Sequence, residues 1–357
     1  MFKTIDYISL FNFSFVYGLD SISLFFIILT TFLISVCVIS SWENIKSYVK
    51  EFFIVLFLTV FFLLNLFSVS DIILFYIFFE GVLIPMFVMI GVWGSRTRKI
   101  HAAYQFFLYT FFGSVFMLLS IFFICNNIGT SNYYFFVRAD FSPSVQIILF
   151  IAFFVSFMIK VPLVPFHIWL PEAHVEAPTA GSVLLAGVLL KLGLYGILRF
   201  LIPAFPYACK FFTPFVLTIC VVGVIYSSCT TIRQIDLKKI IAYSSIAHMS
   251  LATLGLFSNS LIGLEGSVFL MLSHGLVSAG LFLCVGILYD RYKTRLILYY
   301  GGLRTIMPNF ATIFLLCSLA NMGLPLTSAF IGELLVLFGV SLVNSFAATV
   351  SVLGVIF

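Results

Sequence analysis

Residues 160–191 read KVPLVPFHIWLPEAHVEAPTAGSVLLAGVLLK and place two lysines, two histidines and four prolines within or beside segments otherwise apolar enough to lie in a bilayer. A lysine at mid-membrane depth costs roughly 2.5–3.5 kcal/mol on insertion scales, so a membrane protein carries one only where it faces a packed or hydrated interior. Each proline removes an internal N–H and frees a carbonyl. Two lysines bracketing a proline-broken helix therefore read as a pathway for charge.

The rest of the chain supports a membrane setting. It is 62% hydrophobic and only 9% charged, with a mean hydropathy of +1.22, whereas soluble domains carry about 25% charged residues. The fold class is an all-α polytopic membrane protein. Apolar runs of the length needed to span a bilayer, about 20 residues, fall at 20–40, 52–69, 72–93, 102–125, 145–172, 179–202, 210–228, 238–256, 266–288 and 309–343. An eleventh begins near 346 and runs to Phe357, so a continuation, on this or another polypeptide, is expected.

Alternating the loops between two sides tests this segmentation. Twelve Lys/Arg fall on one side: Lys46, Lys50, Arg96, Arg98, Lys99, Arg233, Lys238, Lys239, Arg291, Lys293, Arg295 and Arg304. Lys3, Arg138 and Lys210 fall on the other, joined by Arg199, which can snorkel from its helix end. This bias places the basic loops on the negative side of the membrane, cytoplasm or matrix. Lys160 and Lys191 are the basic residues left at depth, and Glu80 and Glu333 are the acids. His248 and His274 also fall near the middles of their runs.

Two runs are interrupted, 145–172 by Pro162, Pro165 and Pro171, and 309–343 by Gly323-Leu-Pro325. Broken helices are tolerated at membrane depth where they line a protein-filled or wet cavity. A pair of them in two halves of a chain points to an inverted-repeat transporter. The first half offers Glu80, Lys160 and Lys191; the second offers His248, His274 and Glu333.

Other chemistries find no support. The seven cysteines are dispersed without a C-x-x-C pair, which argues against zinc, an iron–sulfur cluster or a disulfide framework. Neither a P-loop nor a G-x-G-x-x-G motif occurs, so no nucleotide site is expected. The net charge of +5 sits mainly in short loops and acts as a topology signal, with no nucleic-acid partner implied. His167 and His174 are seven residues apart with Pro171 between them, and no matching pair lies on another helix. A role at the helix break or the membrane interface is expected for them, and haem or metal ligation is not. Glu172 and Glu176 read as solvated surface residues. The N-terminus carries neither an Arg-rich presequence nor a cleavable signal, so an organellar protein of this kind is expected to be made inside the organelle.

Five stretches carry a family resemblance: FFEGVLIPMF at 78–87, residues 160–200, RQIDLKKIIAYSSIAHMS at 233–250, LSHGLVSAGLFLCVGILYDR at 272–291 and LPLTSAFIGELL at 324–335. From about Gly18 onward the chain resembles the antiporter-like membrane subunits of mitochondrial NADH:ubiquinone oxidoreductase, respiratory complex I, which are similar to Mrp-type cation/proton antiporter subunits. The resemblance implies two inverted five-helix repeats with two discontinuous helices, about 11 spanning segments in this chain. It divides the chain into an N-terminal segment with the first spanning helix over 1–51, a first repeat over 52–202 and a second, incomplete repeat over 210–357. It also implies that further spanning helices of the family lie outside this sequence.

By the same resemblance, Glu80 is the fifth-helix glutamate and Lys160 its partner before the first break. Lys191 is the connecting lysine of the eighth helix, His248 and His274 sit on the tenth and eleventh, and Glu333 is the exit-side acid of the second broken helix. The implied function is proton translocation coupled to electron transfer from NADH to ubiquinone. No cofactor is expected in this chain; flavin, iron–sulfur clusters and ubiquinone are expected in other subunits. Implied partners are neighbouring antiporter-like chains, a lateral helix from another subunit, a possible separate chain completing the C-terminal helices, and membrane lipids. The implied location is the mitochondrial inner membrane, with basic loops on the matrix side.

Desolvation disfavours the charged form of either partner of a Glu–Lys pair, and an opposite charge nearby restores it. Glu80 and Lys160 would thus form a switchable pair, unless they form a static ion pair that fixes helix register. His248 and His274 are open to the plainer reading of backbone-bonded histidines. Two whole-chain alternatives stay open: an Mrp-type antiporter subunit without electron transfer, and a structural module that has lost transport.

Overall fold

The structure is a computed structural model and describes residues 3–8 and 13–356. A short antiparallel hairpin, β1 (Lys3–Ile8) and β2 (Phe13–Tyr17), precedes the helices. Its return strand is tied down where Ser70 N–H donates to Val16 O at 2.9 Å and Gly18 N–H donates to Ser68 O at 2.8 Å. The predicted segment 1–51 therefore holds a hairpin as well as its spanning helix.

The helices follow in an up-and-down series. They begin with α1 (Ser21–Ser41), α2 (Val49–Ser68), α3 (Ile72–Gly81), α4 (Leu83–Trp93), α5 (Lys99–Ile128) and the short α6 (Tyr133–Arg138). The first broken segment is α7 (Pro143–Lys160) with α8 (Trp169–Glu176). Next come α9 (Thr179–Ala204), α10 (Pro206–Arg233), α11 (Leu237–Leu256) and α12 (Leu261–Tyr292). After the short α13 (Leu303–Ile306), the second broken segment is α14 (Pro308–Asn321) with α15 (Ser328–Ser341), and α16 (Ser345–Ile356) follows. Among the described residues, eight helical stretches are long and apolar enough to cross a membrane, counting α3 with α4 as one. This is an all-α polytopic architecture. The α11 helix falls outside that group because it carries Lys238, Lys239, His248 and several serines.

Both predicted breaks are present, for the expected reasons. Val161 precedes Pro162, and the proline ring disfavours continued helix there; the chain leaves α7 and turns through residues 161–168 before α8 begins. In the second segment α14 ends at Asn321, and Gly323-Leu-Pro325 occupies the gap to α15. A third discontinuity is additional to these: the run 72–93 divides into α3 and α4 at Val82, three residues before Pro85.

Asp71 fixes the start of α3. Its Oδ1 accepts from Ile73 N–H at 2.9 Å and Leu74 N–H at 3.1 Å, while the Ser131 hydroxyl donates to its other oxygen. This is an N-cap, which satisfies helix donors that have no partner within the helix.

The α9 helix is the axis of the bundle. The most apolar stretch of α9 is 94% buried, against 33–67% for the other long spans, so its side chains meet protein where theirs meet lipid. Two π-turns, Leu185–Leu189 and Ile197–Leu201, interrupt it. Such turns are rare and concentrate at functional sites.

The second half closes through contact of α12 with α15. A Cβ at Gly332 would stand 2.9 Å from both the backbone N and Cα of Leu270. Gly332→Val is therefore expected to overpack this contact at a cost of about 1–3 kcal/mol, read as a lower thermal midpoint of the solubilised assembly. An unchanged midpoint would mean that α12 and α15 separate at little cost.

Candidate functional site

Lys160 is the last residue of α7, where the helix dipole favours a cation. Its ammonium donates to Phe79 O at 2.6 Å and lies 3.2 Å from the centre of the Phe79 ring. Glu80, next along α3, places Oε1 3.6 Å from the same nitrogen, an ion pair beyond hydrogen-bond distance. The joint between α3 and α4 thus faces the break after α7.

Lys191 sits on α9 directly after the first π-turn and is fully buried. Its ammonium donates to Ala186 O, five residues back, and meets His274 Nδ1 at 2.9 Å. The π-turn widens the helix at this point and brings the Ala186 carbonyl within reach of a side chain. The His274 and His248 ring centres are 5.4 Å apart, and His248 Nδ1 lies 3.2 Å from Glu333 Oε1. Helices α9, α12, α11 and α15 thus each place one ionisable side chain along a continuous line.

The line has two intervals, one between the His274 and His248 rings and one between its halves. No hydrogen bond joins Lys160 to Lys191, although their helices nearly touch: a Cβ at Gly193 would stand 2.9 Å from Phe157 O and 3.2 Å from Val161 N. Glu80–Lys160 and Lys191–His274–His248–Glu333 are therefore two contact groups on adjoining helices. The six residues singled out in the sequence fall into these two groups.

The structure also shows surroundings that the sequence did not reveal for three residues at the first break. His174 is fully buried on α8, stacked on Phe282 with ring centres 4.6 Å apart, and neither ring nitrogen has a hydrogen-bond partner. His167, in the break itself, lies between the rings of Tyr226 and Tyr243 at 5.2 and 6.4 Å. Glu176 is buried instead of solvated, with Oε2 unpartnered.

Two cations, Lys238 in the first turn of α11 and Arg295 in the loop after α12, are buried as well. Lys238 donates to Ala177 O at 2.8 Å and Ser182 Oγ at 3.3 Å. Arg295 donates to Val175 O, and to Ser95 Oγ at 2.5 Å. Together they satisfy carbonyls left open at the C-terminus of α8. Hydropathy alone assigns such residues to loops; the clue to them is the short spacing of Pro171 and Pro178, which leaves α8 too short to satisfy its own end.

Three comparisons bear on this arrangement. The family model described as NADH:quinone oxidoreductase/Mrp antiporter, TM, matches residues 69–357. NADH-ubiquinone oxidoreductase chain 4 of Marchantia polymorpha is 60% identical over 354 residues, which are 99% of this chain and 72% of that protein. The Arabidopsis thaliana protein of the same name is 60% identical over 345 residues, covering 97% of this chain and 70% of its own length. Among solved structures, a chain of respiratory complex I from Thermus thermophilus with bound NADH superposes with a TM-score of 0.92 at 31% identity, over 99% of this chain and 75% of that one.

Proposed function

The chain belongs to the NADH:quinone oxidoreductase/Mrp antiporter family, and from that premise we infer that it is a proton-translocating membrane subunit of NADH:ubiquinone oxidoreductase, moving protons along its buried ionisable line. The catalysed redox reaction belongs to the assembly. Flavin, iron–sulfur clusters and ubiquinone are assigned to other subunits. The membrane is the mitochondrial inner membrane, with the basic loops on the matrix side. Neighbouring antiporter-like chains, a lateral helix and lipids surround the bundle. The two inverted repeats are assigned to 52–202 and 210–357, each with one broken helix.

The observation that carries this reading is the contact series Lys191–His274–His248–Glu333 inside an apolar bundle. Lys191 holds a proton between Ala186 O and His274 Nδ1. The His274 nitrogen facing Lys191 accepts, so the ring keeps its own hydrogen on Nε2. A proton passed from Lys191 to Nδ1 makes the ring cationic, and loss from Nε2 then leaves the other neutral tautomer. His248 repeats this toward Glu333. Water bridges the intervals from Lys160 to Lys191 and from His274 to His248. A proton arriving at Glu80 removes the negative charge beside Lys160 and frees its proton to move on.

Glu333→Gln tests the terminal step. In the purified assembly reconstituted in liposomes, the ratio of protons translocated to NADH oxidised is expected to fall severalfold while ubiquinone reduction persists under uncoupling. An unchanged ratio would remove Glu333 from the path. Translocation that required sodium would favour a cation antiporter without electron transfer.

A further inference from the structure

A relay through Lys191 works only if that ammonium is cut off from one side of the membrane, and five rings stand where the cut is needed. Phe26 on α1, Phe67 on α2, Phe75 on α3, and Tyr195 and Phe200 on α9 are each at most 2% exposed. Their centres form an unbroken series: Phe26 to Phe67 at 5.4 Å, Phe67 to Tyr195 at 5.1 Å, Tyr195 to Phe75 at 6.5 Å and Phe75 to Phe200 at 4.4 Å. All five lie toward the helix ends opposite the basic loops. Phe26 and Phe75 fall in the first two turns of α1 and α3, Phe67 in the last turn of α2, and Tyr195 one turn beyond Lys191. The rings thus form a layer between Lys191 and that side. Phe75 also meets Phe79 at 5.4 Å, and the Phe79 ring carries the Lys160 ammonium, so the layer reaches both lysines.

Just outside the layer the protein is wet. Arg199 pairs there with Asp20, whose side chain is 41% exposed. Arg199 is eight residues past Lys191, about 12 Å along a helix, a gap that about four hydrogen-bonded waters would span. Such a file would let a proton on Lys191 escape without crossing to His274. The layer gives it no foothold, because an interior water needs two to four polar partners. Of the five rings only Tyr195 has a polar side-chain atom, and its hydroxyl donates to Phe67 O at 3.5 Å. Two features of α9 tighten the layer. The second π-turn, Ile197–Leu201, has no part in the relay; it holds Arg199 toward Asp20 and Phe200 against Phe75. Ahead of it, the Phe157 ring fills the space where a Cβ of Gly196 would stand, which closes α7 against α9.

We propose that these rings are a proton seal, which insulates Lys191 from the side opposite the basic loops and leaves His274 as the only way onward for its proton. Polar groups on both faces with a dry aromatic layer between them are the order that insulation requires, and packing alone does not require it. The seal rests on the relay proposed above, but its tightness can be read without any turnover.

The test reads passive proton entry into liposomes carrying the full assembly, without NADH or quinone, driven by a potassium gradient with valinomycin and followed by a trapped pH dye. Phe75→Ser and, separately, Phe67→Ser put a void and a hydroxyl into the layer, which together can hold water. Proton entry is expected to rise at least about tenfold over the unsubstituted assembly, equivalent to a barrier lower by about 1.4 kcal/mol, and to return to its starting level when Lys191→Met is added. Phe52→Ser is the control. Phe52 is equally buried and meets Trp93 at 5.3 Å, but it lies in the first turn of α2 on the side of the basic loops, so a hole there breaches nothing. No rise in either layer variant, an equal rise in Phe52→Ser, or a leak that persists after Lys191→Met would overturn the proposal. Loss of NADH-driven translocation in Lys191→Met alongside tight layer variants would leave the proposed function standing and remove the seal alone. A Lys191→Met assembly that still translocates under NADH would remove the relay, and the purpose of the seal with it.

Discussion

Lys191→Met is expected to abolish proton translocation through this subunit and to slow coupled NADH oxidation by the assembly about tenfold or more, equivalent to at least ~1.4 kcal/mol of barrier. Lys191 is the one group in contact with the His274–His248–Glu333 series that also stands on the helix facing α7, so removing it severs the two halves. The substitution separates transport from stability. Methionine has similar length and flexibility, and an apolar side chain at this depth recovers the roughly 2.5–3.5 kcal/mol that a lysine costs on insertion. Against this, Ala186 O loses its donor, which costs about 1–3 kcal/mol for a buried carbonyl. Assembly should therefore survive, and the measurement is proton uptake and quinone reduction by reconstituted complex at matched protein content.

Lys191→Arg sharpens the interpretation. Guanidinium retains the charge but does not give up its proton. If position 191 carries protons, the arginine variant fails as completely as methionine. If it needs only a fixed positive charge, arginine translocates normally and the proposed relay is wrong at its centre.

Much of this arrangement is legible in the amino-acid sequence, because its signals are local. Pro162 and Pro165, closely paired, disfavour a continuous helix wherever the rest of the chain goes, as Gly323-Leu-Pro325 does. Lys160, Lys191, Glu80 and Glu333 stand out because a charge within an apolar run needs no neighbour to be anomalous. Partnership is less legible. Only family resemblance joins Glu80 to Lys160, which the structure places at 3.6 Å, and nothing in sequence order joins Lys191 to His274. The π-turn before Lys191 leaves no mark on the hydrophobic pattern, since one inserted residue shifts the register without changing composition. Glu176 reads wrongly as solvated surface, and the burial of Lys238 and Arg295 goes unseen, for a related reason: hydropathy describes a window, whereas burial of such a residue depends on which distant backbone passes it. His174 reads only as part of a break, and its burial without partners is a property of packing alone.

The pair at the first break distinguishes a static ion pair from a working one. Glu80→Gln leaves the Lys160 ammonium buried with only Phe79 O and the Phe79 ring for company. Breaking one side of a buried pair costs about 3–5 kcal/mol, because the remaining charge is uncompensated. Lys160→Met should cost less, since the Glu80 side chain is 16% exposed against 6% for Lys160 and can recruit solvent or a proton. The double variant Glu80→Gln with Lys160→Met removes both charges, and replacing a whole buried pair by uncharged groups is often neutral or stabilising by about 1–4 kcal/mol. A coupling energy of at least about 3 kcal/mol is therefore expected between the two sites, at or above the upper end of the range seen for residues in contact, read from thermal inactivation of the purified assembly. Stability returns in the double variant, and translocation does not. A double variant that regained both would establish Glu80 and Lys160 as a register-fixing pair, and protons would then have to reach Lys191 by another route.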